Sequence, residues 1–536
     1  MLRSLRRQLT CPSEGVLLCG LVALCACLFV ASESVWYGDA TTYAADIRAG
    51  TLIEPGHLLW RPLGSAVGLA LRPQSFSAVL WQLQFLCLLA SLLAVILLYR
   101  LASRSYGRPS ALVAATLMAV SNGFWIYAFS GCSYSLSMLF VILALRYAIV
   151  PRGTAATGVA ALAAGAFGGL SAATWGIQVM VAPAIWLALV LTPAREQSSI
   201  QVQVRNTAWL AAGYLLAFVA PTLIAYAIEA HTRAAAPGVA AWLASSRHGI
   251  PAHYGVAQLL RVLMGWPQSI ISTSDLGWRL RLWHLQEARF PVSAWLGVFV
   301  VFYAALAAAI RVLGHSYARL DSHDRGVIAA CVAAIAINLL FAASWQGAEW
   351  GRYFPSWPFQ VLLVALLVKL LSAIHQPRRV AVVAAAALTG VAVVNWQGSF
   401  APVLAADSDR QVWLRALRRA TTADDLVILF GQRTQGILSP HDPNLPRIDS
   451  VSLEIQMRGD EWRAAELRNI TATREHGGRV FLADTLFGTE NAPRDRWSFR
   501  EYPHPTPSEL QDAFLPFKSD RVAFVVGTER VWLGKE

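Results

Sequence analysis

The chain has 536 residues, 56% of them hydrophobic and only 14% charged, against about 25% charged in a globular domain. That shortfall excludes a wholly soluble protein and says that much of the chain faces hydrocarbon. The net charge of +12 recurs at alternate loops instead of gathering on one face, which argues against a nucleic-acid partner and matches the basic cytoplasmic loops of membrane proteins.

A helix needs roughly 20 apolar residues to cross about 30 Å of hydrocarbon. By that rule about eleven stretches qualify, at 13–32, 76–99, 110–128, 133–150, 154–174, 177–193, 207–229, 291–312, 326–345, 354–374 and 380–398. Arginines mark every second connection: Arg3, Arg6 and Arg7, then Arg100, Arg104 and Arg108, Arg152, Arg195 and Arg205, Arg311, Arg319 and Arg325, and Arg378 and Arg379. This places the N-terminus in the cytoplasm and, with an odd number of spans, the C-terminus outside. The connections 33–75, 230–290 and 346–353 then share the outer side. The first stretch also fits a cleaved leader, but its length favours an uncleaved span. The cysteines lie in or beside apolar stretches without zinc spacing, and read as small apolar residues.

The first outer connection is polar and acidic: Gly38-Asp39-Ala40-Thr41-Thr42-Tyr43, Asp46, then Glu54-Pro55-Gly56-His57 and Arg61. Asp39 has two readings. It is a reactive carboxylate at the membrane edge, or it caps a helix that starts at Ala40. If 40–49 is helical, Asp46 lies on the same face, about two turns on. Pro55-Gly56 makes a turn that directs Glu54 or His57 toward the bilayer. His57 suits a phosphate, a metal, a proton relay or a structural hydrogen bond. Arg61 suits a carboxylate or a phosphate.

Later outer segments add fewer candidates. Tyr134 follows the short turn Ser130-Gly131-Cys132-Ser133 and is a candidate cavity residue. Gly165-Ala166-Phe167-Gly168-Gly169 lies within a span, where small residues promote close helix packing. In 230–290 tryptophans and arginines alternate, and Arg281 belongs to an interfacial helix or to a phosphate site. At Trp345–Pro355, Arg352 grips a phosphate or snorkels in an aromatic belt, with Glu349 and Tyr353 beside it. No phosphate loop, HExxH or GxSxG occurs.

Charged residues become common after Gly398. Residues 1–398 therefore form a membrane domain, and 399–536 a small exported α/β domain. Its strand candidates are 426–430, 479–483, 521–526 and 531–533, and its helix candidates 407–420 and 459–476.

The order of one span, an outer loop with an early Asp, a Pro-Gly-His turn, many spans and an outer Arg-Tyr resembles the integral-membrane glycosyltransferases of the GT-C fold. The nearer branch is the protein O-mannosyltransferase and lipid A aminoarabinose transferase superfamily. Gly38–Tyr43, Glu54–Leu59 and Gly351–Pro355 carry the resemblance. Ala40 and Thr41 stand where a second acidic residue is usual, and Gly351 replaces the usual Glu. The resemblance implies a polytopic helical fold and a sugar donor on a polyprenyl phosphate. It implies a protein, lipid or glycan acceptor and inversion at the anomeric carbon. Asp39 would be the base, and Arg352, with His57 or Arg281, would hold the leaving phosphate. Asp46, Glu54, Arg61, Tyr134, Glu349 and Tyr353 would complete the substrate site. No metal ligand is assigned, and whether a divalent cofactor takes part stays open. The expected location is a membrane crossed many times, the bacterial inner membrane. The competing class is a transporter or flippase for a lipid-linked glycan, which would bury charge at midplane and show repeated halves.

Overall fold

A computed structural model describes residues 14–30, 39–72, 76–149, 157–193, 199–232, 238–244, 254–272, 292–345, 350–397, 415–430, 445–451, 461–487, 506–526 and 529–535. The membrane part runs α1 (Glu14–Val30), α2 (Ala40–Ala49), α3 (Trp60–Leu71), α4 (Phe76–Tyr106), α5 (Arg108–Val120), α6 (Asn122–Tyr127), α7 (Tyr134–Ala148) and α8 (Gly158–Thr174). A 3-10 turn, Gly176–Val181, leads to α9 (Ala182–Leu191) and α10 (Ile200–Tyr214). Next come α11 (Ala220–Thr232), α12 (Val239–Ala244), α13 (Val256–Ile270), α14 (Val292–Tyr317) and α15 (Ser322–Ser344). A second 3-10 turn, Trp350–Ser356, precedes α16 (Trp357–Ile374) and α17 (Pro377–Asn395).

Each of the eleven apolar stretches meets a helix. Among the described residues six helices, Ala78–Tyr106, Ile200–His231, Gly297–Tyr317, Ser322–Ser344, Gly351–Ile374 and Pro377–Asn395, are long and apolar enough to cross a membrane. The other five apolar helices run only 10–17 residues. Two of their breaks are visible in the backbone. Ser121 adopts extended backbone between α5 and α6, and Trp175 does so between α8 and the first 3-10 turn.

Small residues set the closest helix crossing. A Cβ on Gly165 of α8 would lie 1.9 Å from the Leu210 carbonyl oxygen, and one on Gly213 of α10 would lie 2.2 Å from that of Leu162. Gly165→Ala is therefore expected to force α8 and α10 apart and cost about 3 kcal/mol, read by thermal unfolding in detergent. Gly168→Ala is the control, because its Cβ would meet only side chains at ordinary contact distance, Ile185 Cδ1 at 3.4 Å and the Tyr214 ring at 3.6 Å. Equal stability of the two variants would contradict the crossing.

Proline reshapes α13 as well. Pro267 lacks the N–H that would bond the carbonyl of Leu263 four residues back. The Tyr303 hydroxyl donates to that carbonyl at 2.5 Å.

Two charges within the apolar helices that the sequence singles out, Lys369 and Glu229, have partners. Lys369 meets Asp324 at 2.9 Å, and Glu229 accepts from the Trp242 indole at 2.6 Å.

The tail holds a five-stranded sheet in the order β2-β1-β3-β5-β4. Its strands are β1 (Leu426–Leu429), β2 (Arg447–Ser450), β3 (Val480–Ala483), β4 (Lys518–Val526) and β5 (Glu529–Gly534). β1 pairs parallel with β2 and β3, and β5 antiparallel with β3 and β4. The helix expected at 459–476 is α18 (Trp462–Glu475). Of the one expected at 407–420, residues 415–420 are described and helical. β2 was not expected, because Arg447-Ile448-Asp449-Ser450 has a single apolar side chain. It forms as the parallel neighbour of the buried β1. α19 (Pro507–Phe514) was missed as well, although Thr506 and Glu509 form a capping box, a signal present in the sequence.

Candidate active site

Asp39 occupies the position before α2, but its side chain makes no capping bond. Its Oδ2 instead accepts hydrogen bonds from the Tyr134 hydroxyl at 3.1 Å and the Tyr43 hydroxyl at 3.4 Å. The carboxylate is exposed, whereas both tyrosines are buried. Between the two readings of Asp39, the geometry excludes the cap. Tyr43 lies one helical turn along, where its hydroxyl reaches back to Asp39. Burial first, and then the Asp39 charge, holds that hydroxyl well above the usual tyrosine range, so it stays protonated and donates.

The Tyr43 ring packs against two other candidates, the His57 ring at 5.4 Å and the Arg61 guanidinium at 5.3 Å. His57 is set by the Pro-Gly turn. Gly56 sits at φ +91°, its carbonyl accepts from Gly176 N–H at 2.7 Å, and Leu59 N–H donates to the Ala173 carbonyl at 3.0 Å. These bonds dock the turn on the end of α8. His57 Nδ1 then lies 2.9 Å from Ser133 Oγ and 3.3 Å from the Thr174 carbonyl. A carbonyl only accepts, so in that bond Nδ1 carries the proton.

Arg61 is 4% exposed and joins the other two acidic candidates. It meets Asp46 at 2.6 Å and Glu54 at 2.8 Å. Asp46 is thus directed at Arg61 and not at Asp39. Burial pushes the Glu54 carboxyl up to about 7, against the pull of Arg61 and reinforced by the charges of Asp39 and Asp46.

Tyr134 links this loop to the second candidate segment. Its ring lies 4.4 Å from Trp175, 4.8 Å from Tyr127 and 6.0 Å from Phe354. Asp39 and Arg352 both act electrostatically on its hydroxyl. Arg352 is half-buried, with its guanidinium 4.1 Å over the Trp345 ring. Tyr353 is fully buried, and its hydroxyl donates to the Val262 carbonyl at 3.3 Å. Arg281 and Glu349 lie outside the described residues.

The structure thus brings Asp39, Tyr134 and Arg352 to one end of the helices, with His57 beside Tyr43. Tyr43, Ser133 and Trp345 also belong to this site. Tyr43 was legible as the residue one helical turn past Asp39, but Ser133 had no signal beyond its place before Tyr134. One group of possible metal ligands, Asp321, His323 and Asp324, has donor atoms within 4.8 Å of one another among the described residues. It sits at the far end of α15 from Trp345. Asp324 is paired with Lys369, and Asp321 accepts from the Asp324 N–H as the cap of α15. These donors already have structural work.

Three comparisons bear on the chain. A family described as dolichyl-phosphate-mannose-protein mannosyltransferase matches residues 62–225. No curated protein sequence matches. ArnT from Cupriavidus metallidurans, in the crystal structure bound to undecaprenyl phosphate, superposes with a TM-score of 0.57 at 12% identity, over 97% of this chain and 98% of that one. The Archaeoglobus fulgidus oligosaccharyltransferase in its apo form gives a TM-score of 0.50 at 12% identity, over 94% of this chain and 72% of that one.

Proposed function

We propose that this chain, which shares the GT-C fold with those proteins, is a membrane glycosyltransferase. It moves a sugar from a polyprenyl-phosphate donor to an acceptor hydroxyl or amine on the extracytoplasmic side. The observation that carries this reading is Asp39: an exposed carboxylate with no side-chain capping bond, oriented by two buried tyrosine hydroxyls. ArnT, in its complex with undecaprenyl phosphate, supplies the donor class.

Asp39 takes the proton from the acceptor as the acceptor oxygen or nitrogen attacks the anomeric carbon. The bond from that carbon to the phosphate oxygen breaks, the centre inverts, and the polyprenyl phosphate leaves with the electron pair. Arg352 stabilises the charge growing on the phosphate. Tyr134 and Tyr43 hold the carboxylate in line, and His57 lies close enough to help seat the phosphate. Asp46, Glu54 and Arg61 act behind Tyr43 as a clamp on the loop, and Tyr353 as an anchor of its own segment. The membrane delivers the donor laterally, so no nucleotide pocket is required. The N-terminus is cytoplasmic, and the tail domain shares the outer compartment with the site.

The test is transfer of a labelled sugar from synthetic polyprenyl-phosphate sugars by the purified chain in detergent, where no closed compartment exists. A covalent product is expected. A transporter makes none, and absence of product across a panel of donors, with unchanged surface glycans in a deletion strain, would overturn the reading.

A further inference from the structure

We propose that Asn338 is a positioning residue for Arg352, acting through the Arg352 carbonyl. This rests on reading Arg352 as the phosphate grip. The 3-10 turn Trp350–Ser356 contains Pro355. In such a turn each N–H bonds the carbonyl three residues back, and proline has no N–H. Pro355 therefore withholds the helical donor from the carbonyl of Arg352. Asn338, on α15, supplies one: its Nδ2 donates to that carbonyl at 2.7 Å.

The amide is itself held. Its Oδ1 accepts from Ser356 Oγ at 2.6 Å, Ser356 Oγ accepts from Gln360 Nε2 at 2.8 Å, and Gln360 Oε1 accepts from the Trp266 indole at 3.1 Å. Ser356 Oγ also lies 3.1 Å from the Tyr353 carbonyl, and its shorter bond, to Asn338, continues the chain from α13 to the Arg352 carbonyl. Asn338 is fully buried in an apolar helix, where a polar side chain is costly unless it is satisfied. Here both ends of the amide are used. The helix that carries Asn338 ends beside Trp345, whose ring underlies the Arg352 guanidinium. Arg352 is thus held by its carbonyl and by its side chain from the same helix end, which sets where its charge points.

The experiment measures the affinity of the full chain in nanodiscs for undecaprenyl phosphate, with Asn338→Leu made in the wild-type and in the Arg352→Ala background. In the wild-type background the affinity should fall about tenfold, equivalent to about 1.4 kcal/mol. In the Arg352→Ala background it should change less than about twofold, because residues acting through one another do not add. Ser356→Ala, which keeps Asn338 but removes the hydroxyl that bonds its Oδ1, the Tyr353 carbonyl and the Gln360 amide, should show a smaller loss with the same dependence on Arg352, and it serves if the leucine variant does not fold. An unchanged affinity in the wild-type background overturns the inference, and so does an equal loss in both backgrounds, which is what a purely structural role gives. A wild-type chain with no affinity for undecaprenyl phosphate overturns the functional reading together with it.

Discussion

Asp39→Asn is expected to abolish sugar transfer, lowering kcat by about a thousandfold or more, within the range of a lost general base, while thermal unfolding in detergent stays unchanged. The amide keeps an oxygen to accept from the Tyr134 and Tyr43 hydroxyls, so the loop keeps its shape. No helix cap is lost, because the side chain makes none. What disappears is the ability to take a proton. Donor binding should persist, since the group read as gripping the phosphate is Arg352. Turnover retained within about tenfold, too little loss for a missing base, would remove Asp39 from the mechanism.

Arg61→Leu is expected to cost about 2–3 kcal/mol at pH 8, below the range for a broken buried ion pair because both carboxylates keep some solvent. Their side chains are 26% and 18% exposed, against 5% for Arg61. Without the guanidinium, two carboxylates face each other behind Tyr43. The pH dependence gives the sign. The Glu54 carboxyl is raised from 4.5 to about 7 by burial, so the folded state holds its proton more tightly than the unfolded chain. Its contribution to stability is fully present below about 4.5 and is lost as the pH rises through about 7. Arg61 is the one contribution that opposes this rise. The leucine variant should therefore lose much more at pH 8 than at pH 5, and Glu54→Gln should restore part of the loss. Melting curves across that range read it directly. An equal loss at both values would mean that Arg61 acts by packing alone.

Several parts of this site were legible before any coordinates. The helix at 40–49, on which the placement of Asp46 was conditional, forms, and it ends at Gly50 in the left-handed conformation at φ +76°. The Pro55-Gly56 turn is written in its two residues. The glycines at 165–169 announce a close approach, and one is found. The roles of the acidic residues were not legible. Asp39, Asp46 and Glu54 look alike along the chain, and only one of them proves to be unclaimed by Arg61. Asn338 gave no signal beyond being one amide in an apolar span, since its partner is the carbonyl of a residue in another element.

By itself the sequence located the apolar helices and the turns between them, because hydropathy over a helix length and turn-forming residues act on the chain locally. Only the tertiary structure decided which carboxylate meets the tyrosines and which histidine nitrogen meets a backbone carbonyl. Those answers rest on the Tyr134–Asp39 and His57–Thr174 contacts, between residues 95 and 117 positions apart. A hydrogen bond falls away beyond about 3.5 Å, so partners that far apart in sequence are chosen by how the helices pack.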